Sequence, residues 1–66
     1  MMYDYIIFAQ LARESETVEE LIEKVKSHGG NATFRNGEVW SGSSDRFGYT
    51  AFSAELTNNG FKTTMY

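Results

Sequence analysis

The 66-residue sequence contains no cysteine and a single histidine, so no disulfide can form and no Cys/His zinc site is expected. The lack of thiols fits a reducing compartment, and a cytoplasmic location is expected. No long apolar run is present: residues 5–12 form the longest nearly apolar stretch, far short of a membrane span. Met1, Met2 and Asp4 supply no basic start for a secretory signal. Positive charge is also scarce. Nine acidic against six basic residues give a net charge of −3, which opposes general binding to nucleic acid phosphates and is too mild for a DNA mimic.

What is present is ordinary for a folded domain. Hydrophobic residues make up 41% and charged residues 23% of the chain, and one Trp, four Tyr and five Phe argue against disorder. The length predicts one small α+β domain over residues 1–66, with a thin core. Stability must then come from consistent local signals or from self-association.

Local signals are strongest in the middle of the chain. Thr17 followed by Glu20 is a capping box, in which the hydroxyl and the carboxylate each satisfy a free backbone N–H. Val18, Leu21, Ile22 and Val25 form one apolar helical stripe, acids lead, Lys24, Lys26 and His28 trail, and Gly29 or Gly30 stops the helix. Asn36-Gly37 then predicts a two-residue hairpin turn that sets Arg35 opposite Glu38, Phe34 opposite Val39 and Thr33 opposite Trp40. Phe34 and Val39 are assigned to the core face, and Trp40, Thr33, Arg35 and Glu38 to the other.

The flanks are assigned from propensity. Residues 3–11 are rich in β-branched and aromatic side chains, uninterrupted by Gly or Pro, and are read as a strand with two apolar faces. Residues 49–59 are read as a helix on Tyr49, Phe52 and Leu56 with an Asn58-Asn59-Gly60 stop; the rival reading is a strand alternating at Thr50, Phe52, Ala54 and Leu56. Residues 61–66 complete a ferredoxin-like βαββαβ order, two helices covering one face of a four-stranded antiparallel sheet. The alternative is a β-α-β-β-β(-β) meander with a single helix.

In that architecture the sheet face away from the helices is the candidate contact surface. Trp40 is its expected anchor, with Tyr3, Tyr5, Arg35 and Glu38 in support. The open side of the first strand carries either Tyr3, Tyr5 and Ile7 or Ile6 and Phe8. The loop from Ser41 to Arg46 is a candidate anion site: Ser43, Ser44 and Arg46 would converge at a following helix N-terminus, although Asp45 repels anions and Ser44 or Asp45 is equally an ordinary cap. The lone His28 is explained by the helix dipole, and no catalytic residue, metal ligand set or cofactor motif is expected. The sequence therefore predicts a non-enzymatic protein-binding module that also forms a homodimer. An inhibitor or adaptor of the kind phages and mobile elements use against host proteins is the expected type. A sensor binding a metabolite or anion at the dimer interface or the Ser-Gly loop is the alternative.

Overall fold

A computed structural model describes residues 3–66, the side chain of Asp45 excepted. Two helices, α1 (Tyr5–Arg13) and α2 (Val18–Ser27), precede four strands, β1 (Thr33–Arg35), β2 (Glu38–Asp45), β3 (Gly48–Thr57) and β4 (Gly60–Met65). The strands form one antiparallel sheet in the order β1-β2-β3-β4, each joined to the next by a tight hairpin. The fold is thus α+β with two helices and a four-stranded antiparallel sheet. Its element order is ααββββ, not βαββαβ. The single-helix alternative matches the run of antiparallel hairpins but not in its opening strand or its helix count.

The segment read as a first strand, 3–11, is not a strand: from Tyr5 onward it belongs to helix α1. Asp4 caps it: its carboxylate accepts from Ile7 N–H at 3.0 Å, the side-chain capture expected one position before a helix. Phe8, Leu11, Ala12 and Ser15 then recur on one turn-spaced face, and all four are buried. Ser15 is tolerated there because its hydroxyl donates to Leu11 O at 2.7 Å. The β propensity of Tyr, Ile and Phe yields to this packing, because that propensity mainly reports fit to a half-buried pleated surface.

The second helix forms as its local signals require. Thr17 Oγ1 accepts from Glu20 N–H at 3.1 Å, while Glu20 Oε1 accepts from Glu16 N–H at 2.9 Å. Glu20 also pairs with Lys24 at 3.4 Å. At the other end Gly30 N–H donates to Val25 O and Gly29 N–H to Lys26 O, the paired bonds of a Schellman stop.

The segment read as a second helix, 49–59, is the long strand β3. Thr50, Phe52, Ala54 and Leu56 take the helix-facing side, with Ala51, Ser53 and Glu55 on the reverse. Asn58 and Asn59 do not stop a helix; they are the two residues of the β3–β4 turn, which sets Thr57 opposite Gly60. Thr57 Oγ1 organises that turn by accepting from Asn59 N–H at 3.1 Å and donating to Gly60 O at 2.6 Å.

Between the layers the described residues form one cluster: Phe8, Leu11 and Ala12 from α1, Leu21 and Val25 from α2, and Val39, Phe52 and Ala54 from the sheet. Phe52 is its hub, with the rings of Phe8, Tyr5 and Tyr3 centred 5.1, 5.7 and 5.9 Å away. Each large side chain buried there contributes about 1.5–3 kcal/mol. Phe34, assigned to the core with Val39, shares its face but stands at the short edge strand and is 53% exposed.

Candidate protein-binding face

Both helices pack on one side of the sheet, which leaves the other side uncovered among the described residues. The Asn36-Gly37 turn fixes what that side carries. Asn36 at φ 53° and Gly37 at φ 81° give the left-handed pair that a type I′ hairpin needs. Thr33 falls opposite Trp40, Phe34 opposite Val39, and Arg35 opposite Glu38. Because Val39 is in the core, Trp40, Arg35 and Glu38 project from the open face. The indole therefore points away from the helices, as the hairpin register predicts.

On that face the side chains form rungs across the sheet. One rung is charged: Arg35, Glu38, Glu55 and Lys62, in the order plus, minus, minus, plus. The next is Thr33, Trp40, Ser53 and Thr64. Tyr66 N–H donates to Ala51 O at 2.8 Å, which extends the β3–β4 ladder by one residue and carries the Tyr66 ring to the same side. That ring stacks on Trp40, with centroids 5.2 Å apart and planes 22° from parallel. The Arg35 guanidinium carbon also lies 5.2 Å from the centre of the indole, within cation–π range. Ser53, directly across from Trp40, is only 1% exposed, so the rings lie over the sheet and shield it. The indole Nε1–H is buried and has no hydrogen-bond partner among the described residues.

Arg35 is not engaged with its cross-strand neighbour. The only ion pair among the described residues is Lys24–Glu20, and Glu38 instead accepts a long hydrogen bond from Ser53 at 3.4 Å. Glu38 and Glu55 stand opposite each other in a pair that does not exchange backbone hydrogen bonds, an arrangement that like charges destabilise.

Tyr3 and Tyr5 do not belong to this face. Tyr5 begins α1, and its hydroxyl meets Thr63 Oγ1 at 2.9 Å on the helix side of the sheet. Tyr3 donates to Ser41 Oγ at 2.6 Å, because the Ser41 proton is committed to Asn31 O at 2.5 Å. Both are core-flanking residues, displaced from the predicted site because the first segment is helical.

The proposed anion loop is also rearranged. Ser43 and Ser44 are consecutive residues of β2 and so face opposite sides of the sheet, and a strand rather than a helix follows them. Arg46 sits at the tip of the β2–β3 hairpin over the ring of Phe47, 5.2 Å from its centre. The three residues do not converge. The role assigned to the Asp45 side chain lies outside the described residues. Ser43 instead lines a cleft of about 340 Å³ with Asp4, Tyr5, Ile6, Phe52 and Met65, on the helix side. His28 donates from Nδ1 to Lys24 O at 3.0 Å, a helix-end contact.

Sequence reasoning missed two aromatic residues of the open face, Tyr66 and Tyr49. Both follow from register once 49–59 is a strand: Tyr49 pairs with Ser44, and its hydroxyl end lies over Gly42. Comparison of the chain with protein-family models, curated proteins and solved structures finds no match.

Proposed function

We propose that this chain is a non-enzymatic protein-binding module, an inhibitor or adaptor, whose contact surface is the open face of the sheet. The observation that supports the reading is the Arg35–Trp40–Tyr66 stack with a buried indole N–H that lacks an acceptor among the described residues. Trp, Tyr and Arg are the side chains that dominate interface energetics. An unsatisfied N–H costs about 1–3 kcal/mol when buried, and a partner carbonyl or carboxylate that displaced a covering side chain and accepted from it would recover that cost.

The test is affinity capture with the purified chain, followed by reconstitution with the captured protein in pure form. Trp40→Ala is expected to weaken that reconstituted complex by about 2 kcal/mol or more while leaving the far-ultraviolet circular dichroism unchanged. Capture that is indifferent to Trp40→Ala would overturn the reading. So would unfolding of the isolated variant, since the ring would then serve the fold alone.

A second reading rests on the helix-side cleft. Its volume of about 340 Å³ is at the lower end of the small-ligand range, and its lining mixes Asp4 and Ser43 with Phe52 and Met65. A metabolite-sensing role would appear as saturable thermal stabilisation by one compound from a panel of amino acids and nucleotides, abolished by Ser43→Trp.

A further inference from the structure

The sheet has two edges, and they differ. Strand β1 has three residues, a length that offers little to another chain. Strand β4 has six, Gly60–Met65, without proline, and among the described residues no strand lies beyond it. The β3–β4 register decides which backbone groups are free. Thr57 faces Gly60 across a two-residue turn, and Tyr66 N–H reaches Ala51 O, so residues 60, 62, 64 and 66 direct their N–H and C=O groups towards β3. Phe61, Thr63 and Met65 therefore turn theirs outward. A row of alternating donors and acceptors of this kind is fully satisfied by one class of occupant, another extended backbone.

We infer that β4 pairs antiparallel with β4 of a second copy, about a two-fold axis at Thr63. The side chains single out this register. Centred on Thr63, it sets Phe61 opposite Met65 of the second copy, and Met65 opposite Phe61 of that copy. Phe61 is only part-buried in the monomer and Met65 is 57% exposed, so both gain cover. Lys62 falls opposite Thr64 of the second copy, with no like charges facing. Moving the axis one residue back to Lys62 would place the two Lys62 ammonium groups directly opposite, which is destabilising. Moving it forward to Thr64 would remove the Phe61–Met65 pair.

The same apolar edge continues into the helix layer. Ile6, 72% exposed, lines one cleft with Met65. Helix α1 packs against β4, so the axis that joins the strands brings the two α1 helices alongside each other on the same side. The product is one continuous eight-stranded sheet with its four helices on one face. The Trp40 surfaces remain open on the other. This dimer uses an edge rather than the open face, so it stands independently of the partner-binding role proposed above.

The chain's lack of cysteine allows a register-specific test. Lys62 and Thr64 are both exposed, so each tolerates replacement by cysteine. Opposite residues in a pair that does not exchange hydrogen bonds have Cα atoms about 4.5 Å apart, within disulfide reach. Mixing Lys62→Cys with Thr64→Cys under mild oxidation is expected to give a disulfide-linked dimer on a non-reducing gel. Either variant alone is expected to stay uncrosslinked, because the like positions lie diagonally, beyond the roughly 7 Å limit. Sedimentation of the unaltered chain should show twice the monomer mass, lowered towards monomer by Thr64→Lys and unaffected by Trp40→Ala. A monomeric mass at all concentrations, no crosslink in the mixture, or a crosslink in Lys62→Cys alone would each overturn the proposal.

Discussion

Trp40 and Tyr66 stack at 5.2 Å although one belongs to β2 and the other follows β4, so their rings bridge the width of β3. The bridge is set by backbone: Tyr66 N–H is held on Ala51 O at 2.8 Å, and the hairpin register aims Trp40 to the same side. An aromatic pair of this kind adds about 0.5–1.5 kcal/mol beyond the area it buries. Tyr66→Ala is therefore expected to lower stability by about 1 kcal/mol and to shift Trp40 fluorescence to longer wavelength as water reaches the indole. Tyr66→Phe should do neither. Equal emission maxima in all three chains would show that the stack is not maintained in solution.

Gly42 and Tyr49 make the second contact on this face that a substitution can probe. A Cβ built on Gly42 would fall inside the hydroxyl and Cζ of Tyr49, with Thr50 O also 3.0 Å away. Gly42→Ala should therefore displace the Tyr49 ring and destabilise by about 1–3 kcal/mol, the usual cost of overpacking. Most of that loss should return in the double variant with Tyr49→Ala, and a chemical-denaturation cycle measures the coupling. Additive losses would mean that the carbonyl, not the ring, limits the space.

The middle of the chain was legible because its signals are local. The Thr17/Glu20 box, the Gly29-Gly30 stop and the Asn36-Gly37 turn each act within a few residues, and together they place Trp40 on the open face. The ends were not legible for the same reason. In residues 3–11 the strand propensity of Tyr, Ile and Phe outweighed one quieter cue, Asp4 as a cap ahead of Phe8, Leu11 and Ala12. In residues 49–59, Tyr49, Phe52 and Leu56 fit a helix as well as Thr50, Phe52, Ala54 and Leu56 fit a strand. Only the long-range pairing of β3 with β2 and β4 separates the two, and no local pattern reports it. Misreading the ends moved Tyr3 and Tyr5 to the wrong face and hid Tyr66 and Tyr49.

Tyr3 makes stability depend on alkaline pH. Burial holds its phenol above the ordinary tyrosine value, and the negative charges of Asp4 and ionised Tyr49 add to the effect. The folded state thus keeps the proton more tightly than the unfolded chain. Its contribution is complete below the unfolded value of about 10 and is lost as pH rises through the higher folded value. Tyr3→Phe is expected to be less stable than the parent at pH 7, having lost the Ser41 hydrogen bond, and to decline less steeply in strong alkali. Parallel stability curves from pH 8 to about pH 11.5 would remove Tyr3 as the source.

The cap of α2 provides the acid-side counterpart. Glu20 is held below the usual carboxylate range, first by the hydrogen bond from Glu16 N–H, against an opposing desolvation, and further by Lys24 and the Thr17 backbone N–H. A depressed carboxyl contributes stability above its unfolded value and loses it as pH falls through the folded one. Glu20→Gln should flatten that part of the acid limb. Thr17→Ala removes the reciprocal bond to Glu20 N–H and should cost about 1 kcal/mol at neutral pH. Because α2 contributes Leu21 and Val25 to the core, fraying its first turn should also loosen the neighbouring Val39 in β2. Amide exchange should then quicken at Leu21 and at the β2–β3 ladder together. Faster exchange confined to residues 17–20 would mean that the cap supports only its own helix.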